Sequence, residues 1–494
     1  VENGSMSVSN VAGAGTKYVV FSNEKTQLRQ TVTDLQPGFY QVKVSAAFRA
    51  GGDKDNMNQA AFLFANDNKV YLPTMREGYI PVETESPNVD RYDYVEDEDG
   101  NVIGYMATST TAMAYAFGEG AYESTIVTEV GEDGTLTLGI NTPGCNSSNE
   151  TWVGAFRLRY CGTADTETAS AAFDETLECQ IARLSTLVYD YDADSYDYSA
   201  TPNFSEELKN EVEAAVEAGP AADNKFEQIT ALGELMQKVY DCKQAYAVML
   251  SKVEILQDIY SSLDGTGLLT NEEKDRIIYL YGVISDAYVD GTYTLEEALK
   301  VDPFEGLTFL PEIVDNVATI TNPKEFIMFG ALVNSGFYRD LDAILTTDID
   351  MEGVVDYAPI GVTSVNYGVG QQITEIGYAG TFDGKGHVVK NLQGTYNSSY
   401  SVSGVFGTVT GTVKNLGVVN YYFNMNDAPS PYGGRFAALC GVVVEGTILN
   451  CYVTGSTVIK ADEIVSAIAA GNYGGVVENC YEYGNNIQNY PRAG

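Results

Sequence analysis

Histidine and tryptophan each occur once in this chain, at His387 and Trp152. A single imidazole excludes HExxH zinc proteases and three-histidine metal sites, and any Ser-His-Asp triad would have to use His387. No GxSxG elbow, Walker loop or strand-borne GxGxxG is present, so nucleotide chemistry has no support. Basic residues are scarce too: 28 Lys and Arg face 68 Asp and Glu, a formal net charge of −40. Such a chain repels phosphate at long range, which excludes nucleic acid and anionic membrane surfaces as partners. A run of about 18 apolar residues is missing, so no transmembrane segment is predicted. The seven cysteines (Cys145, Cys161, Cys179, Cys242, Cys440, Cys451, Cys480) form no CxxC pair, and their odd number leaves at least one thiol free. The chain opens at Val1 without a signal-like segment, which reads as a mature or trimmed sequence; it stops at Gly494 without a polar cap, so further coils or another domain are expected beyond it.

What is present is a degenerate repeat in the last third. Short β-rich phrases end on Gly and then Asn: Gly404-Val405-Phe406-Gly407 leads to Asn415-Leu416, Leu439-Cys440-Gly441 to Asn450-Cys451-Tyr452, and Gly474-Gly475-Val476 to Asn479-Cys480-Tyr481. Asn391, Asn415, Asn450 and Asn479 are spaced by 24, 35 and 29 residues. Such a period predicts stacked units rather than one globular core. Each unit supplies short strands, with Gly or Asn where the chain turns through φ > 0. Stacked as a β-helix, the coils would point Val405, Phe406, Val413, Leu416, Ile448, Val453, Val476 and Val477 inward, with corner asparagines hydrogen-bonded between coils. A sandwich of short strands is the alternative. Cys451 and Cys480 occupy equivalent positions after Asn and are expected to stack as small buried groups rather than to bridge.

The phrases Leu345-Thr-Thr-Asp-Ile-Asp-Met351, Pro359-Ile-Gly361, Tyr378-Ala-Gly-Thr-Phe-Asp-Gly-Lys-Gly-His387 and Val389-Lys-Asn-Leu392 resemble the opening of GLUG-motif proteins. These are secreted, Gly-rich right-handed β-helices found mainly in surface proteins of Bacteroidetes. The resemblance covers about 150 residues and implies architecture more than activity. It also makes His387 part of a structural turn rather than a catalytic base.

The first third reads as all-β. Tyr40, Val42, Val44, Ala46 and Phe48 alternate after a Pro37-Gly38 turn, as do Leu136, Leu138 and Ile140, and Phe156, Leu158 and Tyr160. This pattern predicts a two-sheet sandwich over residues 1–162. Leu28 to Tyr40 and Trp152-Val-Gly-Ala-Phe-Arg-Leu-Arg-Tyr160 resemble a galactose-binding-like jelly roll, which implies sugar recognition at a rim or edge. Trp152 is weighed as a sugar platform, but its parity with Phe156, Leu158 and Tyr160 predicts an inward side chain. Tyr92 and Tyr94, in the acidic insertion Glu83–Gly104, are the other binding candidates.

Residues 163–302 turn helical, with apolar residues recurring at three- and four-residue steps from Leu232 to Tyr260. Ala169–Val188, Ser205–Glu217 and Asn271–Asp290 read as further helices, with Ser205 and Thr270 as caps. Residues 163–300 hold 9 basic and 28 acidic side chains. A helical bundle acting as a spacer is predicted, leading into the β-helix of residues 303–494.

Carboxylate chemistry is then tested. β-helices host polysaccharide lyases and hydrolases that use clustered Asp, and Asp348, Asp350 and Asp383 with Lys385 are the nearest candidates. Asp348 and Asp350 alternate with Ile349 and Met351, however, as a solvated face or corner would. For calcium, Asp190, Asp192 and Asp194 have EF-hand spacing, but Ser195 and Thr201 stand where Gly and Glu are needed. Asp97, Asp99 and Asn101 form a second oxygen-rich loop. Calcium is the one cofactor left open. The expected protein is a non-catalytic, extracellular or outer-membrane-surface binding protein for a glycan or a host protein. The alternatives are a β-helix polysaccharide lyase or glycoside hydrolase, and a structural surface scaffold.

Overall fold

The computed structural model describes residues 5–10, 17–22, 26–49, 61–74, 78–81, 92–97, 99–107, 110–142, 150–185, 204–220, 223–264, 266–334, 338–354, 357–362, 377–394, 402–424, 434–460 and 464–489. The chain is mixed and multidomain: antiparallel sheets, then helices, then stacked parallel sheets of short strands. Its packing divides it into two compact units, residues 1–248 with 287–300 and residues 249–286 with 301–494. Among the described residues no helix is long and apolar enough to cross a membrane.

In the first unit, Gly38–Arg49 lies in a five-stranded antiparallel sheet between Glu123–Val130 and Glu150–Gly162. A four-stranded sheet is built from Thr26–Val32, Leu136–Thr142, Phe62–Ala65 and Asn68–Tyr71. Tyr40, Val42, Val44, Ala46 and Phe48 are all buried, as their alternation predicts. Phe39 and Gln41, on the other face, are buried as well, because the helix Glu167–Ser185 covers them. Phe173 meets Phe39 edge-on at 5.0 Å, and Glu175 accepts a 2.6 Å hydrogen bond from Gln41 Nε2.

The closing strand Glu150–Gly162 departs from simple alternation. Its register slips between Val153 and Phe156, so Trp152 opposes Ala47 while Phe156 opposes Val44. Opposed residues share a face, so this bulge puts Trp152 on the side away from Phe156. Trp152 is buried, but among Ala47, Met113, Phe117 and Tyr122, whereas Leu158 and Tyr160 are 41% and 38% exposed. Leu158 and Tyr160 oppose Val42 and Tyr40, so the bulge leaves them on the predicted face, and their inward expectation fails through exposure rather than through parity.

The helical residues form Glu167–Ser185, Glu206–Ala218, Lys225–Leu263, Asn271–Asp290 and Leu295–Lys300. Thr270 makes a reciprocal capping box: its N–H donates to Glu273 Oε2 at 2.8 Å and its Oγ accepts from Glu273 N–H at 3.2 Å. Ser205 makes no side-chain cap bond. Its backbone N–H instead points at Cys242 Sγ, 3.5 Å away.

In the second unit the last third is a stack of coils. One coil runs through Thr412–Lys414, Gly417–Val419, Tyr422–Asn424, Arg435–Ala437 and Cys440–Val444, and each of these strands pairs in parallel with its counterpart in the next coil. Parallel pairing excludes the sandwich alternative for this region. Ladder partners lie 35 residues apart across this coil and 29 across the next. The difference lies in the third-to-fourth connection, which spans Asn424 to Arg435 in one coil and Ile459 to Ile464 in the next.

The corner residues fall into two series, which the sequence spacing had merged. Asn415, Asn450 and Asn479 follow the first strand of their coils at φ 51–54°, while Asn391 and Asn420 follow the second strand at φ 59° and 56°. Gly455 and Gly484 replace Asn at the second corner, at φ 65° and 68°. The 24-residue step from Asn391 to Asn415 is thus a step between corners, not between coils.

The interior is apolar: Val405, Phe406, Val413, Leu416, Ile448 and Val453 are fully buried. Val476 opposes Thr447 and faces outward, 49% exposed, which corrects its inward assignment. One end of the stack is filled by the helix Pro323–Asn334, whose Phe326 and Phe329 pack on Phe382 at 6.2 and 5.7 Å. Phe382 in turn meets Phe406 at 5.2 Å. In the last described coil the inward Val477 is 41% exposed.

The corners give a discriminating test. Asn415→Gly keeps the left-handed conformation and loses the side-chain bonds, whereas Asn415→Ala also forces a Cβ residue into a region costing about 1–2 kcal/mol. In thermal or denaturant unfolding the Ala variant is expected to be less stable than the Gly variant by about 1 kcal/mol. Equal stability would remove the backbone argument.

Candidate functional site

The four acid-site candidates fall into separate hydrogen-bond systems. Asp383 heads the first ladder. Asn415 Nδ2 donates to its Oδ1 at 2.9 Å, and Asn450 Nδ2 donates to Asn415 Oδ1 at 3.2 Å. Asp383 also accepts the Lys385 N–H at 2.9 Å and pairs with Lys385 and Lys414 ammonium groups at 3.0 and 3.7 Å. Burial alone would raise its pKa. The Asn415 and Lys385 contacts outweigh burial and hold it down at about 2. Asp383 is thus an anion with its lone pairs committed, and it cannot act as a general acid near neutrality.

Asp350 heads the second ladder. Asn391 Nδ2 donates to it at 2.8 Å, Asn420 Nδ2 donates to Asn391 Oδ1 at 3.3 Å, and Lys390 lies 3.3 Å away. The Asn391 bond is the chief reason its pKa is lowered, against a smaller upward push from burial. Asp348 accepts the Val388 N–H at 3.2 Å and lies 3.2 Å from His387 Nδ1. Lys385 and His387 therefore belong to one turn, braced by Asp383 and Asp348, and Asp350 sits on the other corner. Ile349 and Met351, which alternate with the exposed Asp348 and Asp350, are fully buried. No group of three metal-ligating side chains gathers among the described residues.

The second ladder borders a concave surface. The buried pair Leu392 and Tyr421 turn inward just after Asn391 and Asn420, so their neighbours Gln393 and Tyr422 face out. With Glu352 and the two ladder asparagines they line a shallow cleft of about 570 Å³, within the roughly 300–1,000 Å³ range of ligand sites. Tyr422 is 49% exposed and pairs across the sheet with the small Thr457. Amides, one carboxylate and one phenol ring supply donors, acceptors and an apolar face together. Sequence reasoning missed this cleft. Its signal was the repeated order Asn, apolar, polar at Asn391-Leu392-Gln393 and Asn420-Tyr421-Tyr422, hidden by reading all corner asparagines as one series.

The first-unit candidates lie in strands and turns of their own unit. Tyr94 lies in the strand Tyr92–Glu96, 56% exposed, with its ring 5.9 Å from that of Tyr105. Only the backbone of Tyr92 is described. Trp152 is 3% exposed, so its indole offers no face to a sugar; its Nε1 finds no acceptor among the described residues. Asp97 Oδ1 accepts the N–H groups of Asp99 and Asn101 at 3.1 and 2.8 Å and an Asn101 side-chain bond at 3.1 Å, which closes a hairpin turn. Cys145 and the trio Asp190, Asp192 and Asp194 lie outside the described residues.

The Asp383 anion predicts a pH dependence. Its folded pKa lies below the ordinary carboxylate value, so its stabilisation is complete above about pH 4 and is lost as the pH falls toward about 2. The shift corresponds to about 2 kcal/mol. Asp383→Asn is expected to lower unfolding stability at pH 7 by that order and to converge with the unaltered chain only below about pH 2. A gap that stays constant with pH would refute an ionic role.

No family model matches the chain, and no curated protein matches it. Among solved structures, one chain described as a "putative sugar binding protein" from Bacteroides thetaiotaomicron VPI-5482 is similar over 32% of this chain and 82% of its own. The two are 14% identical with a TM-score of 0.15, a likeness too slight to carry an argument.

Proposed function

We propose that this chain is a non-catalytic, secreted or outer-surface binding protein, and that the second corner of its coil stack recognises an uncharged carbohydrate. The carrying observation is the cleft in which Tyr422 stands beside Asn391, Asn420, Gln393 and Glu352. A pyranose has apolar C–H faces and a rim of hydroxyls; a half-exposed phenol suits the first, and amides with a carboxylate suit the second. Sugars carrying carboxylate or sulfate are disfavoured, because Glu352 is the acid at the cleft and the chain's net charge is −40. The low pKa values of Asp350 and Asp383 favour binding over acid catalysis.

The finer architecture in this reading is a galactose-binding-like jelly roll ahead of a right-handed, GLUG-like β-helix. Both implied a surface protein in the sequence, and the parallel stacked coils are what such a β-helix requires.

The test is a glycan array on the intact chain, run with calcium and with chelator. Saturable binding of neutral glycans is expected, weakened about tenfold or more by Tyr422→Ala and by Gln393→Ala. Arrays blank in both conditions would overturn the carbohydrate reading and leave a protein ligand or a scaffold role. Release of new reducing ends or unsaturated products would overturn the non-catalytic one.

A further inference from the structure

Cys451 and Cys480 occupy the same place in successive coils. Each follows a left-handed asparagine, Asn450 and Asn479, and each precedes a tyrosine; Tyr452 and Tyr481 are register partners with rings stacked at 5.2 Å and 8°. The backbones are joined on both sides of the pair, by Asn450 N–H to Glu478 O at 3.1 Å and Tyr481 N–H to Cys451 O at 3.2 Å. Their thiols repeat one contact pattern. Cys451 Sγ faces Leu449 O at 3.3 Å and Val413 O at 3.7 Å, and Cys480 Sγ faces Glu478 O at 3.2 Å and Ile448 O at 3.7 Å. Both are free thiols in the structure.

We propose that Cys451 and Cys480 are a cross-linking site, at which a small disulfide oxidant joins the last described coil covalently to the one before it. Adjacent strands put the two Cα atoms about 4.8 Å apart, inside the roughly 4.4–6.8 Å that a disulfide spans. Access selects the order of events: Cys480 is half-buried, whereas Cys451 is 1% exposed. The Cys480 thiolate attacks the oxidant disulfide, forming a mixed disulfide and releasing one small thiol. Cys451, uncovered when the last described coil opens, then displaces the second small thiol and closes the protein disulfide. Two protein thiols and one small disulfide become one protein disulfide and two small thiols. Burial pushes the Cys451 thiol up to about 12, which makes the second step wait on that opening.

The test uses the intact chain incubated with oxidised glutathione, alkylated, and mapped as peptides without reduction. The expected result is a Cys451–Cys480 linked peptide, with slower proteolysis of residues 476–489 that reverts on adding dithiothreitol. Cys451→Ser is expected to retain glutathione on Cys480, and Cys480→Ser to leave Cys451 as a free thiol. Stable glutathionylation of Cys480 in the unaltered chain would overturn the proposal. So would linkage to Cys440, or no modification of either thiol, in a chain whose circular dichroism shows it folded.

Discussion

The coil stack depends on a backbone turn that side chains rarely tolerate. From Asn391 onward the chain passes through the left-handed region at each first and second corner, and Asn or Gly is the residue that accepts it at low cost. Asparagine does more than accept the turn. Its amide donates to the residue one coil earlier and accepts from the one after, so the conformational requirement and the inter-coil bond are met by one side chain. Both chains of amides end on an aspartate, Asp383 or Asp350. An anion fits there because it only accepts, and a terminal acceptor needs no further partner up the stack.

The same arrangement explains why Asp350 and Asp383 are held as anions. Their hydrogen bonds come from the neighbouring coil and from nearby lysines, which depresses their pKa values. The cleft beside the second corner is built from the ladder amides Asn391 and Asn420 themselves, together with side chains that alternate outward because their neighbours fill the core. Binding chemistry and structural chemistry share one row of residues.

Much of the fold was legible because it is periodic. The coil interior from Val405 to Val453, the face from Tyr40 to Phe48, and the capping box at Thr270 all follow from local patterns. What was not legible depended on register. The bulge after Val153 reversed the parity of Trp152 relative to Phe156, and no period-2 count detects an inserted residue. Merging two corner series into one gave a wrong first spacing and an outward Val476 counted as inward. It also concealed the cleft, because its residues come from different coils and meet only once those coils are aligned. The burial of Phe39 and Gln41 required a helix from a distant part of the chain.

Within the stack, length varies at one place. From Thr412 onward, the difference between a 35-residue and a 29-residue coil is absorbed between the third and fourth strands, while the corners bearing the amide ladders stay fixed. Insertion or deletion along that seam leaves strand pairing and interior untouched, since closing a longer loop costs only slowly more entropy. The architecture thus separates an invariant spine from an edge free to diversify. New surface can be added there one coil at a time, without renegotiating the fold.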